Sequence, residues 1–356
     1  MTYRVIQWAT GGIGKAAIEG IVSHPELELA GVWVHSPDKH GRDAGEILGR
    51  APLGVTATND VDALLALDAD CVLYAPVVAN REELVRILES GKNVVTPLNW
   101  FYRGDRNWTR IEDACQKAGV TLHGTGIHPG GITERFPLML SALSRAVTHV
   151  RAEEWSDIRT YGAPQVVSEL MLFGKPPEDA QQSRMVKLLG DGFLQSIDMV
   201  ADSLGFDLDP EKQVTHEVSA ATKPIDSPIG VIAPGTVAAQ RFTWQGLVRG
   251  EPVITVRTNW FMGEEGFESG WSFGPGGERF EVEVSGDPSS FVTFHGWHPE
   301  SIEAGLARNP GIVATAIHCV SAVPAVCTAG AGIKSYLDLP LVAGRAAPEL
   351  CTKAAS

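Results

Sequence analysis

The sequence predicts an α/β protein, with an N-terminal doubly wound parallel sheet of the Rossmann type and a second α+β domain built on a mixed, largely antiparallel sheet. Three observations predict it. Short apolar runs alternate with helical stretches over the first 150 residues, a glycine-rich turn joins the first run to the first helix, and past residue 149 long strands follow one another. At 356 residues and 44% hydrophobic composition the chain can bury two ordinary cores. The expected domains are 1–148, 149–310, and a C-terminal segment 311–356 that returns to the first domain.

In order, Tyr3 to Trp8 reads as a strand, followed by Ala9-Thr10-Gly11-Gly12-Ile13-Gly14-Lys15 and an Ala/Ile helix. Leu27 to Val34 is the second strand, Val61 to Leu67 a short helix, and Cys71 to Pro76 a buried strand. An amphipathic helix from Arg81 to Ser90 ends at Gly91, and Asn93 to Pro97 is the next strand. Helix Trp108 to Ala118 and strand Val120 to Gly124 add a further unit. Strands this continuously apolar, separated by helices, imply a parallel sheet covered on both faces. Ligands of such sheets bind at the carboxyl ends of the strands, so the loops beginning at Ala9, Ala75, Pro97 and Gly124 are expected to face one crevice.

Beyond residue 149 a strand from Val150 to Ile158 precedes helical segments at Gln165 to Leu172 and Ser183 to Leu204. Strands follow at Gln213 to Ala220, Thr236 to Val248, Pro252 to Phe261, Arg279 to Val284 and Phe291 to Trp297, and short turns such as Arg249-Gly250 imply antiparallel pairing. Gly311 to Ala329 is an apolar helix, kinked at Pro324, whose composition buries it between the domains or under the first sheet, and Pro340 to Gly344 reads as a returning segment.

The glycine turn carries the first chemical inference. Gly11 lets a backbone approach a pyrophosphate, Gly14 lets the helix pack on the strand, and the helix N-terminus offers unpaired N–H groups to the anion. Ala9 stands where the G-x-G-x-x-G pattern has its first glycine. A carboxylate at the tip of the second strand would hold the ribose of NAD, but the chain reads Val34-His35-Ser36-Pro37-Asp38-Lys39-His40. The Ser36 hydroxyl with His35 and Lys39 suits a 2′-phosphate, so NADP(H) is preferred; the alternative is NAD held by Asp38. The expected cofactor contacts are Thr10, Gly11, Gly12, Ile13, Gly14, His35, Ser36, Lys39, Ala75, Pro76, Thr125 and Gly126.

A formal charge of −14 argues against nucleic-acid or anionic-membrane partners, since both demand basic patches. Five cysteines, Cys71, Cys115, Cys319, Cys327 and Cys351, are scattered without a CxxC pair, as in a reducing compartment. The N-terminus enters the first strand at once and no apolar run reads as long enough to span a bilayer, so a cytoplasmic location is expected. His295, Trp297 and His298 bring together no neighbouring carboxylate or cysteine, and no metal is expected there.

The opening turn, the run Gly124-Thr125-Gly126-Ile127-His128-Pro129-Gly130-Gly131 and the helix Ile132 to Leu143 after it resemble the dihydrodipicolinate-reductase-like NAD(P)-dependent oxidoreductases. The resemblance covers most of the chain and is to the branch of 2,4-diaminopentanoate dehydrogenase and the native amine dehydrogenases. It implies a homodimer and hydride transfer between a nicotinamide and a C–N bond, with ammonia as a possible co-substrate. Two positions depart from that pattern: Asn99 stands where the branch has a glutamate, and Gly126-Ile127-His128-Pro129-Gly130 stands for a Gly-x-Asn-Pro-Gly turn. The dicarboxylate signature of the reductases proper is absent.

These departures leave His128 as the candidate proton carrier, its alternative being a loop histidine bonded to backbone. Asn99 and Tyr102 are candidates to hydrogen-bond a carbonyl or imine, and Tyr102 is alternatively a packed aromatic. The resemblance places pocket walls at Trp155, Tyr161, Met171 and Phe173, where few charges intervene and an apolar substrate is favoured. Three readings stand at this point: a reductive aminase or amine dehydrogenase, a ketone or alcohol oxidoreductase using His128, and a non-catalytic NADP-binding sensor.

Overall fold

Six short runs in the first 124 residues form parallel strands: β1 (Tyr3–Trp8), β2 (Leu27–Trp33), β3 (Ala57–Thr58), β4 (Cys71–Tyr74), β5 (Asn93–Thr96) and β6 (Thr121–Gly124), of which β4 and β6 are buried along their whole length. Helices between them carry the chain back, and their ends are set locally. Asn80 caps the helix Arg81–Glu89 by accepting from Glu82 N at 3.0 Å and Glu83 N at 3.2 Å, and the amphipathic helix Thr109–Ala118 stops at Gly119. The computed structural model describes residues 2–183, 185–347 and 350, and divides into two compact units, residues 1–126 with 312–356, and residues 127–311.

The second unit holds β7 (Val147–Asp157), β8 (Gln213–Ala220), β9 (Val237–Val248), β10 (Glu251–Phe261), β11 (Arg279–Gly286) and β12 (Ser290–Phe294). They form one mixed sheet in the order β12-β11-β7-β10-β9-β8, in which β7 and β10 run parallel and every other pair is antiparallel. The first unit is closed by β13 (Gly332–Lys334), which pairs in parallel with β6 and completes the order β13-β6-β5-β4-β1-β2-β3. The fold is therefore a doubly wound parallel sheet plus a mixed-sheet unit.

Several elements differ from expectation. The first unit ends at Gly126, so residues 127–148, expected with the first domain, belong to the second unit: the run from Ile127 packs on that unit's own sheet and helix, with Ser196 reaching Thr133 and Glu134. The helix expected from Ile132 to Leu143 opens as a wide π turn, Gly131–Arg135, before an α segment Phe136–Ser141, with Pro137 at the junction unable to donate an N–H. The segment expected at Gln165 to Leu172 is likewise a π turn, Val166–Leu170, ended by Leu172 at φ +61°. The returning segment is β13; residues 340–344 have no regular structure.

The apolar C-terminal helix, Pro310–Thr328, continues through Pro324. By length and composition alone the helical stretch Ile302–Thr328 is apolar enough to cross a membrane, at mean hydropathy 1.7, which corrects the expectation that no such run exists. Its residues Ala316, Cys319, Val320, Val323 and Val326 are buried in one cluster with Val5, Ile18 and Val95, so the helix completes the core under the first sheet. Cys71, Cys115, Cys319 and Cys327 are unpaired thiols; Cys351 lies outside the described residues.

Candidate active site

The glycine turn is built by one close approach. A Cβ on Gly14 would fall 2.1 Å from Ala9 O, so only glycine lets the first helix start this near β1. Ala9 takes the left-handed backbone, φ +76°, that the missing glycine would adopt freely, and Gln7 Nε2 steadies it by donating to Ala9 O and Trp8 O at 3.0 Å each. A Cβ on Gly11 would meet nothing within 4 Å. Gly11 caps the helix without a side-chain acceptor, and the first turn carries no acidic residue, so its N–H groups are left for an anion. The open approach at Gly11 and these unpaired donors fit a dinucleotide pyrophosphate.

Past β2, the Ser36 hydroxyl donates to Asp38 Oδ1 at 2.5 Å, and this bond holds the Asp38 carboxyl below its usual range despite slight desolvation, helped by Lys39 and Arg42. Lys39 Nζ reaches Thr10 Oγ1 at 3.3 Å, which ties this loop to the glycine turn. His35 follows β2 with its ring 6.0 Å from that of Trp33. Ala75 N is bonded to Trp8 O, and Pro76 leads into the exposed Val77 and Val78.

Asn99 serves its own loop. Its Oδ1 accepts from Trp100 N at 2.7 Å, supporting the buried Trp100 at φ +63°, and this loop lies so close to β6 that a Cβ on Gly124 would sit 2.3 Å from Asn99 O. Asn99 and Tyr102 belong to the first unit and His128 to the second.

The second unit holds a buried polar chain around His128, whose side chain is 2% exposed. His128 Nδ1 lies 2.9 Å from Glu154 Oε2; Ser156 Oγ lies 2.7 Å from Glu154 Oε1 and 3.1 Å from His298 Nε2. Glu154 and Ser156 are two apart on β7, so they face the same side of the sheet. Burial would push the Glu154 carboxyl up, but the hydrogen bonds and charge of His128, then Ser156 and His298, hold it below its usual range. An ionised Glu154 only accepts. His128 Nδ1 therefore carries the proton of that bond, and Nε2 has no partner among the described residues, so in the neutral ring it presents a bare lone pair.

The same logic fixes His298. Ser156 has one hydroxyl proton, which Glu154 takes, so His298 Nε2 donates to Ser156 and its Nδ1 is left bare, again without a partner. Burial, opposed by Glu154 and assisted by His295, lowers His298 to about 4, so its ring is neutral near neutral pH. The walls are aromatic: Phe193 and Phe280 meet the His128 ring edge-on at 4.8 and 5.7 Å, and Phe280 stacks on His298 at 5.2 Å. Burial raises Glu278 to about 7 against the Asp157 N–H bond, with the charges of Asp157 and Glu154 adding to the rise.

Of the expected pocket walls, Tyr161 lies near this chain, since burial and then the Glu154 charge raise its hydroxyl. Trp155 alternates with Glu154 along β7 and faces the opposite side, between Arg279 at 4.9 Å and Arg241 at 6.0 Å. Met171 and Phe173 are buried, with Met171 O accepting from Gln240 Nε2. Glu154, Ser156 and His298 were not among the catalytic candidates, although the alternation of Glu154 with Trp155 was the signal that could have found them. No cluster of His, Cys, Asp and Glu able to hold a metal occurs among the described residues.

Residues 132–265 match the model of the 2,4-diaminopentanoate dehydrogenase C-terminal domain. The chain is 31% identical to an amine dehydrogenase from Streptomyces virginiae, over 94% of this chain and 96% of that protein. The chain belongs to the amine dehydrogenase family. It is an oxidoreductase. A 2,4-diaminopentanoate dehydrogenase from Acetoanaerobium sticklandii is 24% identical over 65% of this chain and 60% of that protein. The structure of an amine dehydrogenase from Mycobacterium smegmatis superposes with a TM-score of 0.77 at 20% identity, covering 97% and 98% of the two chains, and so shares the fold.

Proposed function

We propose that this protein is an NADP(H)-dependent amine dehydrogenase acting on apolar amines and, in reverse, aminating ketones with ammonia. The observation that carries the reading is the buried His128–Glu154 pair with the far ring nitrogen bare. A dinucleotide whose pyrophosphate is held on Gly11–Gly14 would supply, at its nicotinamide, the hydride acceptor. The chain supplies the proton chemistry. His128 Nε2 takes the proton from a substrate ammonium, freeing the nitrogen lone pair that replaces the C–H bonding pair as hydride leaves, and Glu154 stabilises the resulting imidazolium. The product iminium then takes up water, whose two protons pass to the substrate nitrogen as the C–N bond breaks, so that ammonium departs and the ketone is left, and the imidazolium returns its proton to solvent. Aromatic walls at Phe193 and Phe280 favour an apolar side chain on the substrate.

NADP(H) is the cofactor we assign, on the loop that follows β2. Its Ser36 hydroxyl, Lys39 and Arg42 would hold a 2′-phosphate, displacing Asp38 from Ser36. A second reading, oxidation of secondary alcohols by the same pair, is favoured by Asn99, an amide bonded to Trp100 where the resembling branch has a glutamate. Steady-state turnover separates them: NADP⁺ reduction with primary amines supports the first, and reduction with alcohols alone supports the second.

A further inference from the structure

At the carboxyl edge of the first unit's sheet, three side chains far apart in sequence converge. Lys334 of β13 pairs with His123 of β6, so Tyr336 and Thr125, each two residues on, leave the sheet side by side. The Tyr336 hydroxyl is hydrogen-bonded to Thr125 Oγ1 and lies 2.6 Å from His318 Nε2 on the C-terminal helix. His318 stacks on the Tyr336 ring at 5.8 Å and His123 meets it edge-on at 5.4 Å. His123 Nδ1 lies 2.7 Å from Lys334 O, and burial lowers this ring to about 4, which keeps it neutral. The same C-terminal helix bears on the glycine turn, because a Cβ on Gly12 would lie 3.3 Å from Ile312 Cδ1, and on Thr125, whose carbonyl is 3.6 Å from Cys319 Sγ.

The direction of a bound dinucleotide follows from the sheet order. Pyrophosphate sits at the turn after β1 and the adenosine half runs toward the tip of β2, on one side. The nicotinamide half must then run the other way, past β4 and β5 toward the end of β6. A carboxamide has two N–H donors and one acceptor oxygen, and a fixed hydroxyl, able both to donate and to accept, complements it. We propose that Thr125, His318 and Tyr336 form the seat of the cofactor's nicotinamide end, with the Tyr336 hydroxyl bonded to the carboxamide. This inference rests on the cofactor reading above and adds two residues, His318 and Tyr336, to it.

Calorimetric titration of the whole protein with NADPH and with 2′-phospho-ADP-ribose, which lacks the nicotinamide, tests it. Tyr336→Phe is expected to weaken NADPH binding about fivefold to tenfold and to leave the fragment within about twofold of wild type, as for loss of one hydrogen bond. His318→Gln gives the same comparison in a second background if Tyr336→Phe does not fold. Equal losses on both probes, or no loss on NADPH, would overturn the seat while leaving the glycine turn as the cofactor site. Wild-type protein that binds neither probe would overturn the cofactor reading and the seat with it.

Discussion

His128 and Glu154 are joined by a 2.9 Å hydrogen bond between Nδ1 and Oε2, while the opposite nitrogen of the same ring is buried and bonded to nothing among the described residues. A buried acceptor without a donor costs stability, on the order of 1–3 kcal/mol, and is retained where a substrate supplies the donor. An ammonium, as the proposed function requires, or a water would do so.

Glu154→Gln keeps the shape of the pair and removes the charge that stabilises an imidazolium. It is expected to lower kcat by about 10²-fold, within the range for a general base, with KM for the amine changed less than about threefold. Steady-state kinetics across the amine panel checks this, and an unchanged kcat would show that Glu154 only packs.

Glu134 gives a stability signature. It is fully buried, accepts from Ser196 Oγ at 2.7 Å, and burial, opposed by that bond, raises its carboxyl from 4.5 to about 8. A folded-state value above the unfolded one contributes stability that is complete below pH 4.5 and is lost as pH rises through 8. Glu134→Gln is therefore expected to match wild type near pH 4.5 and to exceed it increasingly up to pH 8, by roughly 1.4 kcal/mol per pH unit at most. Denaturant melts at several pH values read the difference, and parallel curves would exclude it.

Cofactor preference is set, on this account, by one loop. Ser36→Asp is expected to cost about tenfold or more in NADPH affinity through like-charge repulsion of the 2′-phosphate while sparing NADH. Asp38→Asn is expected to strengthen NADPH binding. Titration of both cofactors against both variants checks the pair of signs.

The strained turn makes two opposite predictions. Ala9→Gly releases a left-handed alanine and is expected to gain on the order of 1 kcal/mol. Gly14→Ala places a methyl 2.1 Å from Ala9 O, so the helix must shift; a loss of about 2 kcal/mol or more and weakened cofactor binding are expected. Thermal melts and cofactor titrations measure both.

What was legible in the sequence was what is local. Strand, glycine turn and helix follow one another within some twenty residues, and Gly14 acts on Ala9, five positions away. The body of the parallel sheet was legible for the same reason, since β1, β2, β4, β5 and β6 are apolar runs bounded by helix signals, whereas β3 is only two residues long. The proton chain was not, because its links span 26 residues from His128 to Glu154 and 142 from Ser156 to His298, and His298 read alone suggested only a metal ligand without companions. Tyr336 meets Thr125 across 211 residues, through a three-residue strand too short to be read from pattern. Asn99 was legible as an amide in a strand-end loop, but its bond to the neighbouring Trp100 N depends on a left-handed backbone that the sequence does not advertise.

In the proposed function, amine oxidation runs through His128. The direct test is the rate of NADP⁺ reduction by a panel of apolar primary amines, measured for wild type and His128→Ala, with NADPH binding measured alongside. Amine-dependent reduction by wild type is expected, falling about 10²–10⁴-fold in the variant with cofactor affinity within about twofold. No reduction with any amine, or wild-type turnover by His128→Ala, would contradict it.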